Sequence, residues 1–245
     1  MEISVLASGS NGNCCLVEDK GSAILVDCGI AVREIEERAR RLSHELKSID
    51  GIIISHSHID HIRSAGALSR KYKIPVYVKH ETFREAWHLL GECETKNYTN
   101  HKFKVGKIEV VPIETSHDVA SSGFLIGQFG IFTDTGKITN QIRDAMPKLK
   151  GVLIESNHDI DMLLKGPYPS YLKGRILSDS GHLCNIHASE LVQARGKKLS
   201  LSLLGHLSAV NNTPELCKKT FETLVKRKME YAVCSRDCEI GSWHL

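Results

Sequence analysis

Residues 52–61 read Ile-Ile-Ile-Ser-His-Ser-His-Ile-Asp-His, an apolar strand that runs directly into His56, His58, Asp60 and His61. Imidazoles and a carboxylate at the end of a buried strand carry a desolvation cost unless something partners them. A divalent cation removes that cost by bonding ring nitrogens and carboxylate oxygen directly. In an extended loop His56 and His58 point the same way, so both can bind one ion, while Asp60 and His61 at the following turn reach a second. Three more candidate ligands stand just past β-type runs: His117 in Thr-Ser-His-Asp, Asp134 in Thr-Asp-Thr-Gly and His206 in Leu-Gly-His-Leu-Ser. Loops at strand ends are where a rigid scaffold carries function. Alone, each of the three would be an ordinary capping or surface residue. Together with residues 56–61 they complete a set of seven ligands.

The elements that must hold this set can be traced along the chain. Short Val/Ile-rich runs bounded by Gly, Asn and Asp predict strands at Ile3–Leu6, Cys15–Glu18, Ala23–Val26, Gly51–Ile54, Val76–Val78, Ile108–Ile113, Phe124–Ile126, Gly130–Thr133, Val152–Ile154 and Ser200–Leu204. Helical patterns alternate with them at Val32–Leu46, Ser64–Tyr72, Glu81–Leu90, Ala188–Arg195 and Pro214–Lys226. In the first of these, Ile35, Ala39, Leu42 and Leu46 share a face. Consecutive strands without a helix open the chain, which a doubly wound parallel sheet would not produce. An α/β fold with two sheets packed face to face and helices outside fits better. No repeat, low-complexity tract or linker stands out, so residues 1–245 read as a single domain.

Composition bounds the function only loosely. The chain has 245 residues, 41% hydrophobic and 25% charged, enough for a sizeable core without staples. Lys plus Arg total 32 against 29 Asp plus Glu, so only a local patch could mark an anionic partner. The 8 cysteines form no CxxC pair, and no apolar run approaches the roughly 18 residues of a membrane span. Nor does the start of the chain have the form of a signal peptide. Reduced thiols in a cytoplasmic, non-membrane protein are the expectation. The 13 histidines are the surplus that the ligand set begins to absorb.

The HxHxDH motif at residues 56–61, followed in order by His117, Asp134 and His206, resembles the metallo-β-lactamase superfamily over nearly the whole chain. That resemblance implies a four-layer αββα sandwich. It also implies two divalent ions, one held by His56, His58 and His117, the other by Asp60, His61 and His206, with Asp134 bridging. Asp27, in Leu-Val-Asp-Cys-Gly, matches an early aspartate of the fold that orients a ligand from behind. A carboxylate at Asp134 distinguishes the chain from true β-lactamases, and His58 distinguishes it from flavodiiron reductases, which have Glu there. The short interval from Asp134 to His206 leaves no room for the β-CASP insertion of RNA-processing nucleases.

Further segments narrow the resemblance: Ala-Ser-Gly-Ser-Asn-Gly-Asn-Cys at 7–14, Glu-Ser-Asn-His-Asp at 155–159, Ser-Gly-His-Leu-Cys-Asn at 180–185 and Gly-His-Leu-Ser-Ala-Val-Asn-Asn-Thr-Pro at 205–214. This set resembles the YycJ/WalJ family of bacterial metallo-hydrolases, departing from it at Cys184, where a serine is expected. The resemblance implies exonuclease action on DNA in the 5′ to 3′ direction, with two ions (zinc or manganese, with iron compatible) as cofactors. Asp60 would then orient or deprotonate water, and His182 would protonate the leaving group or bind phosphate. Asn157, His158, Asn185 and Ser208 are candidate substrate contacts. The loop Gly9–Asn13 either turns backbone donors to a phosphate or is a plain turn.

A DNA substrate needs a basic path. Lys165, Lys173 and Arg175, with Tyr168 and Tyr171 among them, lie before His182 and can contact backbone and stack on an end base. Lys218, Lys219, Lys226, Arg227 and Lys228 read as a solvated helix face. The grip falls to loops or to a partner subunit, which leaves a homo-oligomer open. Competing readings are a small-molecule phosphodiesterase, a glyoxalase II-like thioester hydrolase, an RNA-processing nuclease and a catalytically idle metal-binding module. Steep weakening with salt separates the nucleic-acid readings from the small-molecule ones.

Overall fold

A computed structural model describes residues 1–245, which gather into two compact units. The first comprises Met1–Pro112, Val119–Ser121 and Ser235–Leu245. Its sheet is built from β1 (Glu2–Ala7), β2 (Cys14–Asp19), β3 (Ser22–Val26), β4 (Ile49–Ile53), β5 (Val76–Val78), β6 (Thr95–Asn97) and the last strand of the chain, β14 (Ile240–His244). The order is β14-β1-β2-β3-β4-β5-β6. β14, β1, β2 and β3 run antiparallel to their neighbours, and β3 to β6 run parallel. The β2–β3 hairpin closes on Lys20-Gly21, whose φ values of 54° and 73° give the primed turn that matches strand twist. Parallel neighbours require crossovers, supplied by α1 (Val32–Arg41), by α2 (Ile59–Ile62) with α3 (Ala65–Tyr72), and by α4 (His80–Leu90).

Leu16, Leu25 and Ile52 from this sheet pack with Ile35, Leu68 and Leu90 from the helices in one buried cluster. Each such side chain contributes roughly 1.5–3 kcal/mol by leaving water. The helix expected over Val32–Leu46 is shorter than its apolar periodicity. It stops at Arg41, Ser43 adopts φ 64°, and the amides of Ser43 and His44 donate to Arg40 and Ala39 at 3.0 and 2.9 Å. That double bond pattern is a Schellman closure, here with serine where glycine is usual. Leu46 is still buried, but from a following 3₁₀ turn, so the hydrophobic spacing outlasts the helix.

A hairpin of β7 (Phe103–Val105) and β8 (Ile108–Glu114) leads the chain out of this unit. The second unit comprises Ile113–Asp118 and Ser122–Cys234. Its strands β9 (Ser122–Ile126) and β10 (Phe129–Phe132) pair antiparallel. β11 (Gly151–Glu155), β12 (Leu201–Gly205) and β13 (Glu230–Val233) then follow β10 in parallel. The crossovers carry α5 (Asn140–Ala145), then α6 (Ile160–Lys165), α7 (Ser170–Leu177) and α8 (Asn185–Arg195), and finally α9 (Pro214–Leu224). Parallel strands buried on both faces read as continuous apolar runs, and β11 and β12 are buried at every position. Between Asp134 and His206 lie only α5, a short 3₁₀ turn, β11, α6, α7, α8 and β12, so no domain is inserted there.

Candidate metal centre

In the first unit, β4 delivers Ser55 and His56 into the interior, and α2 follows with His58 at its N-cap. Asp27, at φ 61° after β3, takes the strand end into its carboxylate: the Ser55 amide donates to Oδ1 at 2.8 Å and the Ser55 hydroxyl to Oδ2 at 2.8 Å. The same Oδ2 accepts His61 Nδ1 at 2.7 Å. A carboxylate only accepts, so this bond puts the His61 proton on Nδ1 and leaves Nε2 with a lone pair, 3.4 Å from Asp60 Oδ2. Ser55 Oγ also lies 2.9 Å from His56 Nδ1, and the His56 ring packs 4.1 Å from the His61 ring and 4.7 Å from that of His58, centroid to centroid.

The Gly9–Asn13 loop closes a turn and also braces the ligand segment. The amides of Gly9 and Gly12 are used inside it, on Asn13 Oδ1 and Gly9 O, and the Asn13 amide donates to Asp60 O at 2.8 Å. Asn13 Nδ2 sits 3.1 Å from His61 Nε2. On the other side Cys28 donates its amide to His61 O at 2.7 Å, and Gly29 lies so close to the Asp60 carbonyl that a Cβ would meet its oxygen at 1.6 Å. Residues 58–62 are thus clamped between two loops of the same unit.

In the second unit, His117, Asp134 and His206 from loops after β8, β10 and β12 converge with Glu155, the last residue of β11, and His182, just before α8. His206 donates Nδ1–H to Glu155 Oε1 at 2.8 Å, and His117 donates Nδ1–H to Gly181 O at 3.2 Å. Both rings therefore present Nε2 lone pairs, and both face Asp134 Oδ1, at 3.4 Å from His206 and 3.7 Å from His117. Two imine-type nitrogens and a carboxylate oxygen are the donor types that a divalent cation takes. Burial pushes the His117 pKa down, which keeps the ring neutral, as ligation requires. Asp134 and His206 hold φ values of 54° and 55°, a left-handed backbone that is costly outside glycine and gathers at functional sites.

Glu155 was not among the residues expected at the site, although an acid closing the apolar run Val-Leu-Ile was a signal for it. It is fully buried. Oε1 accepts from His182 Nδ1 at 2.7 Å as well as from His206, and Oε2 accepts the Thr135 amide at 2.8 Å. Burial alone would raise its pKa, but His182 and His206 outweigh that and hold it at about 2. Burial likewise works against the His182 charge, and Glu155 overcomes it, so the His182 pKa is raised. The His182 side chain is 21% exposed where those of His117 and His206 are at 1%, making it the ring of this cluster open to solvent.

The four polar residues expected to touch substrate are built into the frame instead. Asn157 is buried and its Nδ2 donates to His206 O at 2.9 Å, fixing the left-handed backbone there. Asn185 is buried between Ser156 Oγ, 2.7 Å from its Oδ1, and the side-chain amide of Asn212. Ser208 Oγ accepts the amides of Val210 and Asn211, closing a turn. His158 is 1% exposed, and burial lowers its pKa to about 4. Buried polar groups find partners inside the protein, as Asn157, Asn185 and Ser208 do.

Residues 7–134 match the model of the metallo-beta-lactamase superfamily. The exodeoxyribonuclease YycJ of Bacillus anthracis is 33% identical over 93% of this chain and 90% of its own. The exodeoxyribonuclease WalJ of Streptococcus pneumoniae is 34% identical over 89% of this chain and 85% of its own. Among solved structures, the metallo-beta-lactamase fold protein YhfI from Bacillus subtilis superposes with a TM-score of 0.75 over 99% of both chains at 17% identity. That likeness bears on the fold, and it is the αββα fold expected from the sequence.

Proposed function

As a member of the metallo-β-lactamase superfamily, and within it of the YycJ/WalJ family, the chain is a metal-dependent hydrolase, and we propose that it is a two-metal exonuclease that degrades DNA in the 5′ to 3′ direction. The observation that carries the metal part is the facing of the His117 and His206 Nε2 lone pairs on Asp134 Oδ1. In this reading His56, His58 and His117 hold one ion, Asp60, His61 and His206 the other, and Asp134 bridges. Zinc, manganese and iron all suit these nitrogen and oxygen donors. When bound, two divalent ions supply positive charge to the phosphoryl oxygens and make water easier to deprotonate.

The protein's own groups do the rest. Asp60 accepts the proton of the attacking water. His182, hydrogen-bonded to Glu155 and open to solvent, donates its proton to the departing sugar oxygen, and Glu155, which raises the pKa of the ring, favours its protonated form before that transfer. DNA as substrate is supported by the names of the YycJ and WalJ exodeoxyribonucleases, and the direction of digestion is carried over only from the resemblance of the sequence motifs. The eight free thiols support a cytoplasmic setting, and no helix is long and apolar enough to cross a membrane.

The test is digestion of end-labelled single-stranded and duplex DNA, and of matched RNA, with manganese or zinc added back. Shortening of DNA from the 5′ end is expected. Hydrolysis of bis(p-nitrophenyl) phosphate with no cleavage of any DNA would leave a small-molecule phosphodiesterase. Turnover of a thioester alone would return the glyoxalase II-like reading.

A further inference from the structure

Helix α7 ends against the second unit's ligand cluster. The His182 amide donates to Ile176 O at 3.0 Å, and a Cβ on Gly181 would meet the carbonyl oxygens of Ile176 and Arg175 at 2.2 and 2.3 Å. The Arg175 guanidinium pairs with Asp118 Oδ2, and the other oxygen of Asp118 lies 3.3 Å from His117 Nε2. Arg175 is therefore a cation held beside a proposed ligand, with its side chain 58% exposed. On the same helical face, at i and i+3 to i+4 spacing, stand Tyr171, Gly174 and Arg175.

Two features of that face are hard to explain by folding alone. Tyr171 is 78% exposed on a helix, although an aromatic ring gains by burial. Gly174 weakens the helix relative to alanine, yet a Cβ there would meet nothing within 4 Å. No packing demand inside the protein requires it. A bare backbone patch between an open aromatic and an arginine is what a strand of nucleic acid needs in order to approach closely. The nearby lysines are occupied differently: Lys173 caps α6 through Leu164 O at 2.7 Å, and Lys165 pairs within its own helix with Asp161.

Resting on the nuclease reading, we propose that α7 is the strand-gripping element, with Tyr171 stacking on a base of single-stranded DNA, Arg175 pairing with a backbone phosphate, and Gly174 leaving room for the strand between them. Anisotropy of a fluorescent DNA 12-mer, titrated with the full chain in EDTA, reads this without turnover. Tyr171→Ala is expected to weaken binding roughly 5- to 100-fold. Arg175→Gln should reduce the slope of log affinity against log salt by about 0.7. Gly174→Leu should weaken binding while the unfolding temperature stays level or rises, a combination that a merely structural role cannot give. Lys218→Gln, on the exposed face of α9, should bind as the parent does. If the parent binds and digests DNA while all three α7 variants match it, the assignment of α7 fails and the nuclease reading stands. If the parent neither binds nor digests DNA, both fall.

Discussion

His206 donates its Nδ1 proton to Glu155 Oε1 at 2.8 Å, and that bond decides which nitrogen it can offer a cation. Glu155→Gln replaces a pure acceptor with a group whose amide can donate, so the ring is released to the other tautomer. Metal content after dialysis, read by mass spectrometry, is expected to fall roughly 10- to 100-fold in apparent affinity, with turnover of a small diester falling in step. Full occupancy with unchanged turnover would exclude the orienting role.

The same carboxylate sets a pH window for the ion-free chain. Burial works against the ionised form of Glu155, yet its histidine partners hold it at about 2, against roughly 4.3 for an unfolded glutamate. Its contribution to stability is present above that unfolded value and is lost as pH falls toward 2. His182, raised by Glu155 against the effect of burial, contributes below an unfolded value of about 6.5 and loses the contribution as pH rises through its folded value. His117 and His158, both lowered by burial, act the other way below about pH 6.5, so the Glu155–His182 pair's own contribution to thermal unfolding in EDTA, read against that drift, should peak between roughly pH 4.5 and 6.5. In Glu155→Gln the peak should flatten, and an unchanged profile would refute the coupling.

Gly29 makes a sharper demand. A Cβ there would sit 1.6 Å from the Asp60 carbonyl oxygen, and the contact is backbone on backbone, so no side chain can swing away. Gly29→Ala must displace the segment that carries Asp60 and His61, at a cost of about 1–3 kcal/mol in denaturant unfolding and with loss of metal at that half of the set. Gly21→Ala is the contrasting change. It meets no neighbour and is strained only by its φ of 73°, so it should lower stability and leave metal content alone.

How much of this was readable beforehand depends on what each residue's signal was about. The seven proposed ligands stand out because metal-capable side chains at the ends of apolar strands are chemically out of place. Glu155 carries the same mark at the end of Val-Leu-Ile, but Ser55 and Asn13 do not: their roles depend on which ring nitrogens lie beside them, a fact of three-dimensional packing. The substrate candidates Asn157 and Asn185 are polar side chains in motif-like segments that bond inside the protein, Asn157 to the His206 carbonyl and Asn185 to the Ser156 hydroxyl. Among the elements, the buried strands were legible from their Val/Ile runs, while β6, Thr-Lys-Asn and exposed throughout, had no hydrophobic pattern to read. α1 was overextended because Leu42 and Leu46 continue its spacing through a turn closed by Ser43.

That turn yields a stability prediction independent of the site. Ser43 holds φ 64°, a region where a Cβ crowds the backbone, and it does so in the C′ position that glycine favours. Ser43→Gly relieves the crowding and gives back part of the gain as unfolded-chain entropy, for a net stabilisation of about 0.5–1 kcal/mol in urea unfolding. A loss of stability would mean that the serine makes an interaction beyond its backbone.

Asp134 combines both kinds of constraint, which allows its charge and its conformation to be separated. At φ 54° an alanine is strained, whereas asparagine tolerates the left-handed region and keeps the shape of the side chain. The carboxylate faces the Nε2 lone pairs of His117 and His206 and lies 3.8 Å from His182 Nδ1, so in the ion-free chain its charge is set against two acceptors and beside one donor. Asp134→Asn places an amide that can donate toward those nitrogens. It should match or exceed the parent in unfolding temperature when both are measured in EDTA. Asp134→Ala should fall below both, by roughly 1–2 kcal/mol, because it keeps the backbone strain and loses the side chain. With metal restored, both variants should lose hydrolysis of bis(p-nitrophenyl) phosphate and the metal-dependent rise in unfolding temperature seen in the parent. If Asp134→Asn retained turnover, the proposed bridging role of this residue would be wrong, whatever its effect on stability.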